Sequence, residues 1–193
     1  PDKTKVGWWK NGYPEYYAKV INAPNWIGIK INIDGEPLDL AKCKVEDFTR
    51  ILNMKKGFLR REFQATTPGG KKIKVDVIRF LSIVHDETGS IKYEITPLNF
   101  SGNITVTFDL NADVINEDAN YDEKFWDEVG KTNPSDNRAT LTAKTNKLDF
   151  HVCLGMDYRI TQGKEPINPK AETTENTKYI AKTVNIEAKE NEP

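Results

Sequence analysis

Residues that could carry out acid–base or metal chemistry are few in this chain. The sequence of 193 residues contains two histidines and two cysteines. Asp149, His151 and Cys153 alternate along the sequence, so on a strand they would share one face and could supply part of a metal site. A metal needs three or four ligands from converging elements, and no zinc-motif spacing is present. We therefore interpret this triplet as an ordinary sheet face and predict no metal site.

The other reactive side chains also lack partners in the sequence. His85 lies in the turn sequence His85-Asp86-Glu87-Thr88-Gly89, and no nucleophile is evident beside it. A general base needs a group whose proton it can take, so we interpret His85 as a solvated loop residue. Cys43 and Cys153 are too few for a disulfide framework, and we expect two reduced, mostly buried thiols. A single bridge between them stays possible in an exported protein.

A partial calcium-loop pattern occurs at Asp109, Asn111 and Asp113. The pattern then fails, because Val114 stands where the loop needs glycine and Asn120 where it needs a bidentate glutamate. We predict neither calcium nor any other cofactor. The sequence also lacks phosphate-loop, dinucleotide-binding and serine-hydrolase motifs, so no catalytic residue is predicted.

The aromatic residues point to recognition. Tryptophan and tyrosine crowd the first 26 residues, and asparagines lie among them. Aromatic planes can stack on the C–H faces of sugar rings while amides bind the hydroxyl groups, but large aromatics are also common anchors of cores and interfaces. Both interpretations remain open. The candidate carbohydrate or interface residues are Trp8, Trp9, Asn11, Asn25, Trp26, Phe125 and Trp126.

Composition excludes several classes of protein. Charged residues make up 30% of the chain and the net charge is −1, so no basic nucleic-acid surface is indicated. No apolar run approaches the ~18 residues of a membrane span, and the N-terminus does not resemble a signal peptide. We expect a cytoplasmic protein with no nucleic-acid or membrane partner. Because the chain begins without Met, we also expect it to be part of a larger protein.

Period-two alternation predicts an all-β fold. It is clearest across residues 73–114, and further strands are expected at 26–33, 58–63, 139–145, 150–160 and 179–186. Residues 45–52 fit a helix or a strand, and the turn that follows them favours a strand. Asp34-Gly35 predicts a hairpin, with Leu38 and Leu40 beginning the return strand. Many short strands at roughly ten-residue spacing are typical of an antiparallel β-sandwich.

One short helix is predicted at residues 120–129. Asn120 could cap it, acidic residues would face its N-terminus, and Phe125, Trp126 and Val129 could bury one side. Residues 130–138 are expected to form a loop, and residues 161–177 an exposed connection.

Six blocks of the sequence stand out: Val6–Tyr16, Asn22–Trp26, Asp34–Glu36, Asn53–Gly57, Ile95–Gly102 and Asn120–Trp126. Together they resemble the N-terminal domain of glycoside hydrolase family 65, and the likeness spans essentially the whole chain. They occur in the family's order and are most similar to those of its maltose-cleaving members. None is a catalytic motif.

The resemblance implies a larger enzyme of which residues 1–193 are the N-terminal β-sandwich domain, truncated at both ends. The family's catalytic (α/α)6 barrel would be absent from this chain. The implied reaction is inverting phosphorolysis, in which maltose and inorganic phosphate give glucose and β-glucose 1-phosphate. In the family, the general acid, a Glu, and the phosphate-binding site belong to the barrel. No residue of this chain is therefore assigned either role, and we expect this chain alone to be inactive.

The resemblance also implies a partner and leaves alternatives. The domain would pack on the barrel of the same chain and take part in a homodimer, with a possible place at the active-site rim. A stand-alone carbohydrate-binding module and a structural sandwich unrelated to sugar are the competing hypotheses. Because relatives act on trehalose, kojibiose and nigerose, the sequence leaves the disaccharide open.

Overall fold

Strands form all the regular secondary structure in the described part of the chain. The computed structural model describes residues 2–5, 16–116 and 123–193, which contain sixteen strands and no helix. The predicted all-β, antiparallel fold is confirmed, and the sheets are consistent with a β-sandwich. The strands are β1 Asp2–Lys5, β2 Tyr16–Lys19, β3 Asn25–Ile33, β4 Glu36–Pro37, β5 Lys44–Asn53, β6 Phe58–Thr66, β7 Lys72–Leu81, β8 Gly89–Pro97, β9 Gly102–Asn111, β10 Trp126–Ser135, β11 Arg138–Thr145, β12 His151–Asp157, β13 Ile160–Gln162, β14 Glu165–Ile167, β15 Glu172–Asn176 and β16 Tyr179–Ala188.

The strands form five sheets. A four-stranded sheet has the order β5-β6-β7-β8, a three-stranded sheet β10-β11-β12, and a five-stranded sheet β15-β16-β9-β3-β4, while β1-β2 and β13-β14 are separate pairs. The chain also divides into two compact units. Unit 1 takes its described residues from 1–29, 107–159 and 170–184, and unit 2 from 30–106, 160–169 and 185–193.

The four-stranded sheet of unit 2 shows how alternation separates core from solvent. Along β7, Ile73, Val75 and Val77 are buried because alternate side chains point to one face of a strand. On the opposite face Arg60 makes two hydrogen bonds to Asp76, at 2.9 and 2.8 Å. The apolar face therefore forms part of the core of unit 2, and the other face is covered by ion pairs.

The hairpin predicted at Asp34-Gly35 is present in unit 2. Asp34 and Gly35 have φ of 47° and 86°, the positive values that a two-residue hairpin turn requires. The return strand is only Glu36–Pro37 and does not begin at Leu38 and Leu40 as predicted. It is short because Asp39 starts a new turn, in which its carboxylate accepts the N–H of Ala41 at 3.0 Å.

A buried cluster from five segments forms the core of unit 1. Partly buried Ile21, Val114, Val152 and Met156 pack against it. Along β11 the buried positions are Ala139, Leu141 and Ala143, and the two small alanine side chains allow larger neighbours to approach. The buried members are Leu110, Ala112, Phe125, Trp126, Ala139, Leu141, Ala143, Leu154 and Ile180.

The predicted helix is wrong in its described part. Residues 123–129 contain no helix, and β10 begins at Trp126 and pairs with β11 from Trp126↔Thr145 to Ser135↔Arg138. Helix propensity is a weak preference that a full ladder of inter-strand hydrogen bonds overrides. Residues 120–122, including the proposed cap Asn120, lie outside the described part of the chain.

Two predicted loops also contain strands. Residues 130–138 belong mostly to β10, which is an edge strand of its sheet and therefore tolerates Pro134. Residues 161–177 contain most of β13, all of β14 and all of β15. These strands are short and largely exposed, so they lack the apolar alternation that marks a half-buried strand. Within the described ranges, the structure has no helix with the length and apolarity needed to cross a membrane.

Candidate interaction surface

A reciprocal set of amide hydrogen bonds fixes the segment that precedes β3 in unit 1. The backbone N–H of Asn22 donates to Asn116 Oδ1 at 2.7 Å, and Asn22 Nδ2 donates to the carbonyl of Ile115 at 3.0 Å. Asn116 Nδ2 returns a bond to the carbonyl of Val20 at 2.8 Å. The amide groups of Asn22 therefore hold two segments of the fold together.

Trp126 and Phe125 lie inside unit 1. Trp126 is 4% exposed and Phe125 is 1% exposed. The indole N–H of Trp126 donates to the carbonyl of Asn22 at 2.8 Å, so the one polar atom of this side chain has a partner. Core packing accounts for both side chains without a sugar or a partner chain, and their predicted interface role stays a prediction.

Trp26 and Asn25, at the start of β3, are the candidates that the structure leaves accessible. Trp26 is 37% exposed, and Asn25 is exposed while its Oδ1 accepts the N–H of Ile27 at 3.1 Å. Consecutive strand residues point to opposite faces of a sheet, so these are two separate exposed groups: the indole can stack on a sugar ring, and the amide can donate to a hydroxyl group. Trp8, Trp9 and Asn11 lie outside the described residues.

The Asp149, His151 and Cys153 triplet lies on an exposed part of β12 and the turn before it. His151 Nε2 is 3.2 Å from Asp149 Oδ1, and Lys144 Nζ also bonds that oxygen at 3.1 Å. Hydrogen bonds from Lys144 and then His151 lower the pKa of the Asp149 carboxyl. Cys153 points toward the carbonyl of Leu154. Across the described residues, no three or more His, Cys, Asp or Glu side chains are grouped to hold a metal.

The partial calcium pattern is used for other contacts. Both Asp113 carboxylate oxygens accept from Lys124 Nζ, at 2.7 and 2.9 Å, and Asn111 Oδ1 accepts the N–H of Asp113 at 2.8 Å. Asp109 is only 3% exposed and packs beside Gly28. The three side chains therefore serve separate structural contacts.

The remaining reactive side chains have no catalytic partner among the described residues. The His85 side chain is exposed. Its backbone N–H donates to Ser82 Oγ at 2.9 Å, and its backbone carbonyl accepts the N–H of Thr88 at 2.8 Å. Both cysteines are free thiols. Cys43 is half-buried and its burial raises the pKa of its thiol, whereas Cys153 is exposed, so the expectation of mostly buried thiols is wrong for Cys153.

Sequence reasoning missed a buried lysine. Lys182 is 1% exposed, although lysine is almost never fully buried. Its ammonium donates to Asn133 and, at 2.9 Å, to Thr173 Oγ1. The only available signal was its position in the strand predicted at 179–186, where the neighbouring Ala181 and Ile180 are also buried.

An aromatic pair in unit 1 was also missed. The rings of Phe108 and Tyr158 stack with centroids 4.0 Å apart, and Tyr158 Oη donates to the carbonyl of Asp136 at 2.8 Å. Burial, followed by the nearby charge of Asp136, raises the pKa of Tyr158 to about 12. The two residues are fifty positions apart in sequence, so no local pattern could indicate their contact.

Comparison with known proteins identifies the family. The family model for the glycosyl hydrolase family 65 N-terminal domain matches residues 1–193. This chain belongs to that family. The family 65 domain is 46% identical over 150 residues to the maltose phosphorylase of Bacillus subtilis (strain 168), an alignment that covers 78% of this chain and 20% of that protein.

Two other relatives are named as phosphorylases of different disaccharides. The family 65 domain is 27% identical over 175 residues to the kojibiose phosphorylase of Halothermothrix orenii, covering 91% of this chain and 22% of that protein. It is also 28% identical over 153 residues to the alpha,alpha-trehalose phosphorylase of Thermoanaerobacter brockii, an alignment that covers 76% of this chain and 20% of that protein. The chain thus spans about one fifth of the length of the curated relatives it matches.

A solved structure confirms the fold of the family 65 domain. A protein from the human microbiome assigned as a kojibiose phosphorylase superposes with a TM-score of 0.81 at 22% identity. The match covers 100% of this chain and 24% of that protein. At this identity the likeness shows the fold alone.

Two sequence blocks of the family resemblance meet in unit 2. Asp34 Oδ1 accepts the N–H of Asn103 at 2.7 Å, and Lys71 forms an ion pair with the same carboxylate. A Cβ on Gly102 would lie 2.7 Å from Asp34 Oδ2, closer than atoms can approach. Asp34 and Gly102 therefore belong to one turn-to-turn contact, which explains their presence in the blocks structurally and not catalytically.

Proposed function

We propose that this chain is the non-catalytic N-terminal domain of a cytoplasmic maltose phosphorylase. The enzyme converts maltose and inorganic phosphate into glucose and β-glucose 1-phosphate with inversion. In this proposal the domain packs on the catalytic barrel of the same polypeptide, contributes to a homodimer and borders the active site.

The 46% identity to the Bacillus subtilis maltose phosphorylase is the observation that carries the proposal, since the other two relatives described above are below 30%. The chemistry of the described residues agrees with a non-catalytic role. Inverting phosphorolysis needs one carboxylic acid with a raised pKa to protonate the leaving oxygen, while phosphate takes the place of the activated water. Hydrogen bonds from a neighbouring basic side chain hold the pKa of the Glu46, Asp76 and Asp149 carboxyl groups below its ordinary value, which is the opposite of what a catalytic acid needs.

A disaccharide panel tests the substrate. The longest natural polypeptide that contains this chain is incubated with phosphate and either maltose, kojibiose or trehalose, and the anomer of glucose 1-phosphate is read by NMR. We expect the highest kcat/KM for maltose and the β-anomer as product. Preference for kojibiose or trehalose would contradict the assignment of maltose, and an α-anomer would contradict inversion.

A second role, direct sugar contact, is favoured by Trp26 and Asn25. The partly exposed indole offers a stacking plane, and the exposed amide of the preceding residue offers a hydrogen-bond donor at the strand's end. In this role the indole would stack on a glucan at the domain surface.

Calorimetry of the 193-residue chain with maltose and longer glucans tests sugar contact. We expect heat of binding that is lost in Trp26→Ala. Phe150→Ala serves as the matched control, because Phe150 is an aromatic side chain that is 62% exposed elsewhere in unit 1. No heat at millimolar sugar, or equal loss in both variants, would contradict binding at Trp26.

A further inference from the structure

Three arginines lie on the inner face of the four-stranded sheet in unit 2. This is the face that carries the buried side chains of Phe63 and Val75, which are partners across β6 and β7. An even number of steps along a strand returns to the same face, so Arg61 on β6 and Arg79 on β7 also lie on it. Arg50 on β5 is the partner of Arg61 and completes the set. We name these three residues the arginine face.

The two faces of this sheet carry their charges differently. On the outer face, several basic side chains pair with carboxylates, as Arg60 does with Asp76 at 2.8 Å. Asp47 lies in the irregular part of β5, and its carboxylate accepts from Gln64 of the outer face at 3.1 Å. The structure describes β5 to β8 throughout, and the arginine face supplies every charge that their alternation places on the inner face. None of its three members forms an ion pair with another described residue.

Aromatic rings position two of the guanidinium groups. The rings of Phe48 and Phe63 stack with their centroids 6.0 Å apart. Arg50 Cζ lies 5.7 Å from the Phe48 centroid, and Arg61 Cζ lies 5.5 Å from the Phe63 centroid. A cation–π contact orients a guanidinium but supplies no acceptor atom for its N–H donors. Two adjacent arginines are therefore held in place with donors that can bind an anion.

Tyr93 on β8 borders the arginine face and is in contact with it. Its side chain is half-buried and lies in the row Arg61↔Val77↔Tyr93. Burial raises the pKa of the Tyr93 hydroxyl, while the positive charge of Arg61 and a hydrogen bond from Arg61 act to lower that pKa. Because the Tyr93 oxygen accepts from Arg61, its own O–H remains a donor. The tyrosine thus holds Arg61 from two strands away and adds a neutral donor beside it.

The spacing of the arginines gives the inner face a concentrated positive charge. Arg50 and Arg61 are directly opposite each other, with Cβ atoms about 5 Å apart, and like charges in such a pair destabilise a sheet. Arg79 is the diagonal neighbour of Arg61, at about 7–8 Å, because Arg61 is paired with Val77. Arg79 is exposed and makes no polar contact with a described residue, so its side chain can turn toward the other two. An anion bound among the three would remove the repulsion.

Arginine at all three positions indicates which anion fits. The planar guanidinium binds two oxygens at once, as carboxylates and phosphates offer them, whereas a lysine ammonium acts as a point charge. A carboxylate has two oxygens, which a single guanidinium occupies. A phosphate dianion has more oxygens and a second negative charge, so it can accept from two or three guanidinium groups together.

We propose that the arginine face binds a phosphate dianion, either as inorganic phosphate or as the phosphate group of a monoester. Arg50 and Arg61 donate to it from the positions that the phenyl rings hold. Arg79 closes over it from the neighbouring row, and Tyr93 donates its O–H. The site does not depend on the proposed function, because its binding is measured without turnover.

Calorimetric titration of the 193-residue chain with phosphate tests the site. The titration is run above neutral pH, where the dianion dominates, against chloride of equal ionic strength. We expect saturable binding by the wild type and roughly tenfold weaker binding by Arg50→Gln and by Arg79→Gln, because each loses charge-assisted hydrogen bonds. Both side chains are exposed, so the fold is retained, which circular dichroism checks. Arg79→Lys keeps the charge and should also weaken binding, because an ammonium cannot bind two oxygens in a fork.

Two ligands distinguish the sources of the dianion. Inorganic phosphate and glucose 1-phosphate are titrated separately, and the tighter of the two identifies whether the site takes free phosphate or a monoester.

An arginine elsewhere in the chain provides the matched control. Arg159 is an exposed arginine of unit 1 without an ion pair to a described residue, so Arg159→Gln should leave phosphate binding unchanged. An equal loss in Arg159→Gln, or no binding beyond the chloride reference, would overturn the proposal. Binding of tetraglutamate without binding of phosphate would also overturn it, since the arginine face would then be a docking surface for an acidic protein segment.

Discussion

Trp126 and Trp26 show that the environment of a residue, more than its type, decides its role. Trp126 is buried in the core of unit 1 and donates a hydrogen bond to the carbonyl of Asn22. Trp26 is 37% exposed at the start of β3. The sequence identifies both as large aromatics near amides and cannot tell them apart, because the segments that bury Trp126 are distant in the chain.

Trp126→Phe should lower the free energy of unfolding by about 1–3 kcal/mol, because it leaves the Asn22 carbonyl without its donor and removes buried area. Trp26→Phe is the matched control and should stay within about 0.5 kcal/mol, since surface substitutions have small effects. Urea unfolding followed by circular dichroism measures both. Equal effects of the two substitutions would contradict the difference in burial.

Gly28 and Gly130 offer a second pair of matched positions in unit 1. A Cβ on Gly28 would lie 2.2 Å from Asp109 Oδ1, whereas one on Gly130 would have no heavy atom within 4 Å. Gly28→Ala should lower the free energy of unfolding by about 1–3 kcal/mol through overpacking against a buried side chain. Gly130→Ala should be neutral or slightly stabilising. Thermal unfolding of the two variants checks this, and a tolerated Gly28→Ala would show that Asp109 can move aside.

At the scale of elements, the strands with strict alternation could be predicted and those with weak alternation could not. β7 alternates apolar and charged residues along the part that joins the core, and its position followed from the sequence. β10 carries Gly130 and Pro134 and lies at a sheet edge, so its pairing with β11 determines its conformation. The short strands β13 to β15 lack a buried face. The contact between Asp34 and Gly102 joins residues distant in the sequence, so no local pattern could indicate it.

The outer face of the four-stranded sheet should make stability depend on pH. The hydrogen bonds from Arg60 lower the pKa of the Asp76 carboxyl. A lowered pKa in the folded state adds stability above the unfolded value, and this stability is lost as pH falls through the folded value.

Asp76→Asn should therefore reduce the loss of unfolding free energy between about pH 5 and pH 2 by roughly 0.5–1 kcal/mol, the range for partly exposed ion pairs. Asp86→Asn removes an exposed carboxylate without an ion pair to a described residue, and should leave the pH dependence unchanged. Urea titrations across this range compare the variants. An acid loss in Asp76→Asn as large as in the wild type would mean that the Arg60 pair contributes nothing.

At the scale of the whole molecule, the chain is a family 65 N-terminal domain that covers about one fifth of its curated relatives. In the described residues, several acidic side chains take part in turns and ion pairs, as Asp34 and Asp76 do, and both histidines lie in exposed positions. We therefore place the chemistry of the proposed phosphorylase outside this domain. In the proposed function, the domain contributes by packing on the barrel, by associating with a second copy and by bordering the active site.

Phosphorolysis by the 193-residue chain alone tests this account most directly. The chain is incubated with maltose and phosphate beside the longest natural polypeptide that contains it, and β-glucose 1-phosphate is measured. The account predicts product from the longer polypeptide and none above the no-enzyme background from the 193-residue chain. Sustained turnover by the 193-residue chain would contradict it, because the acid would then have to lie within residues 1–193.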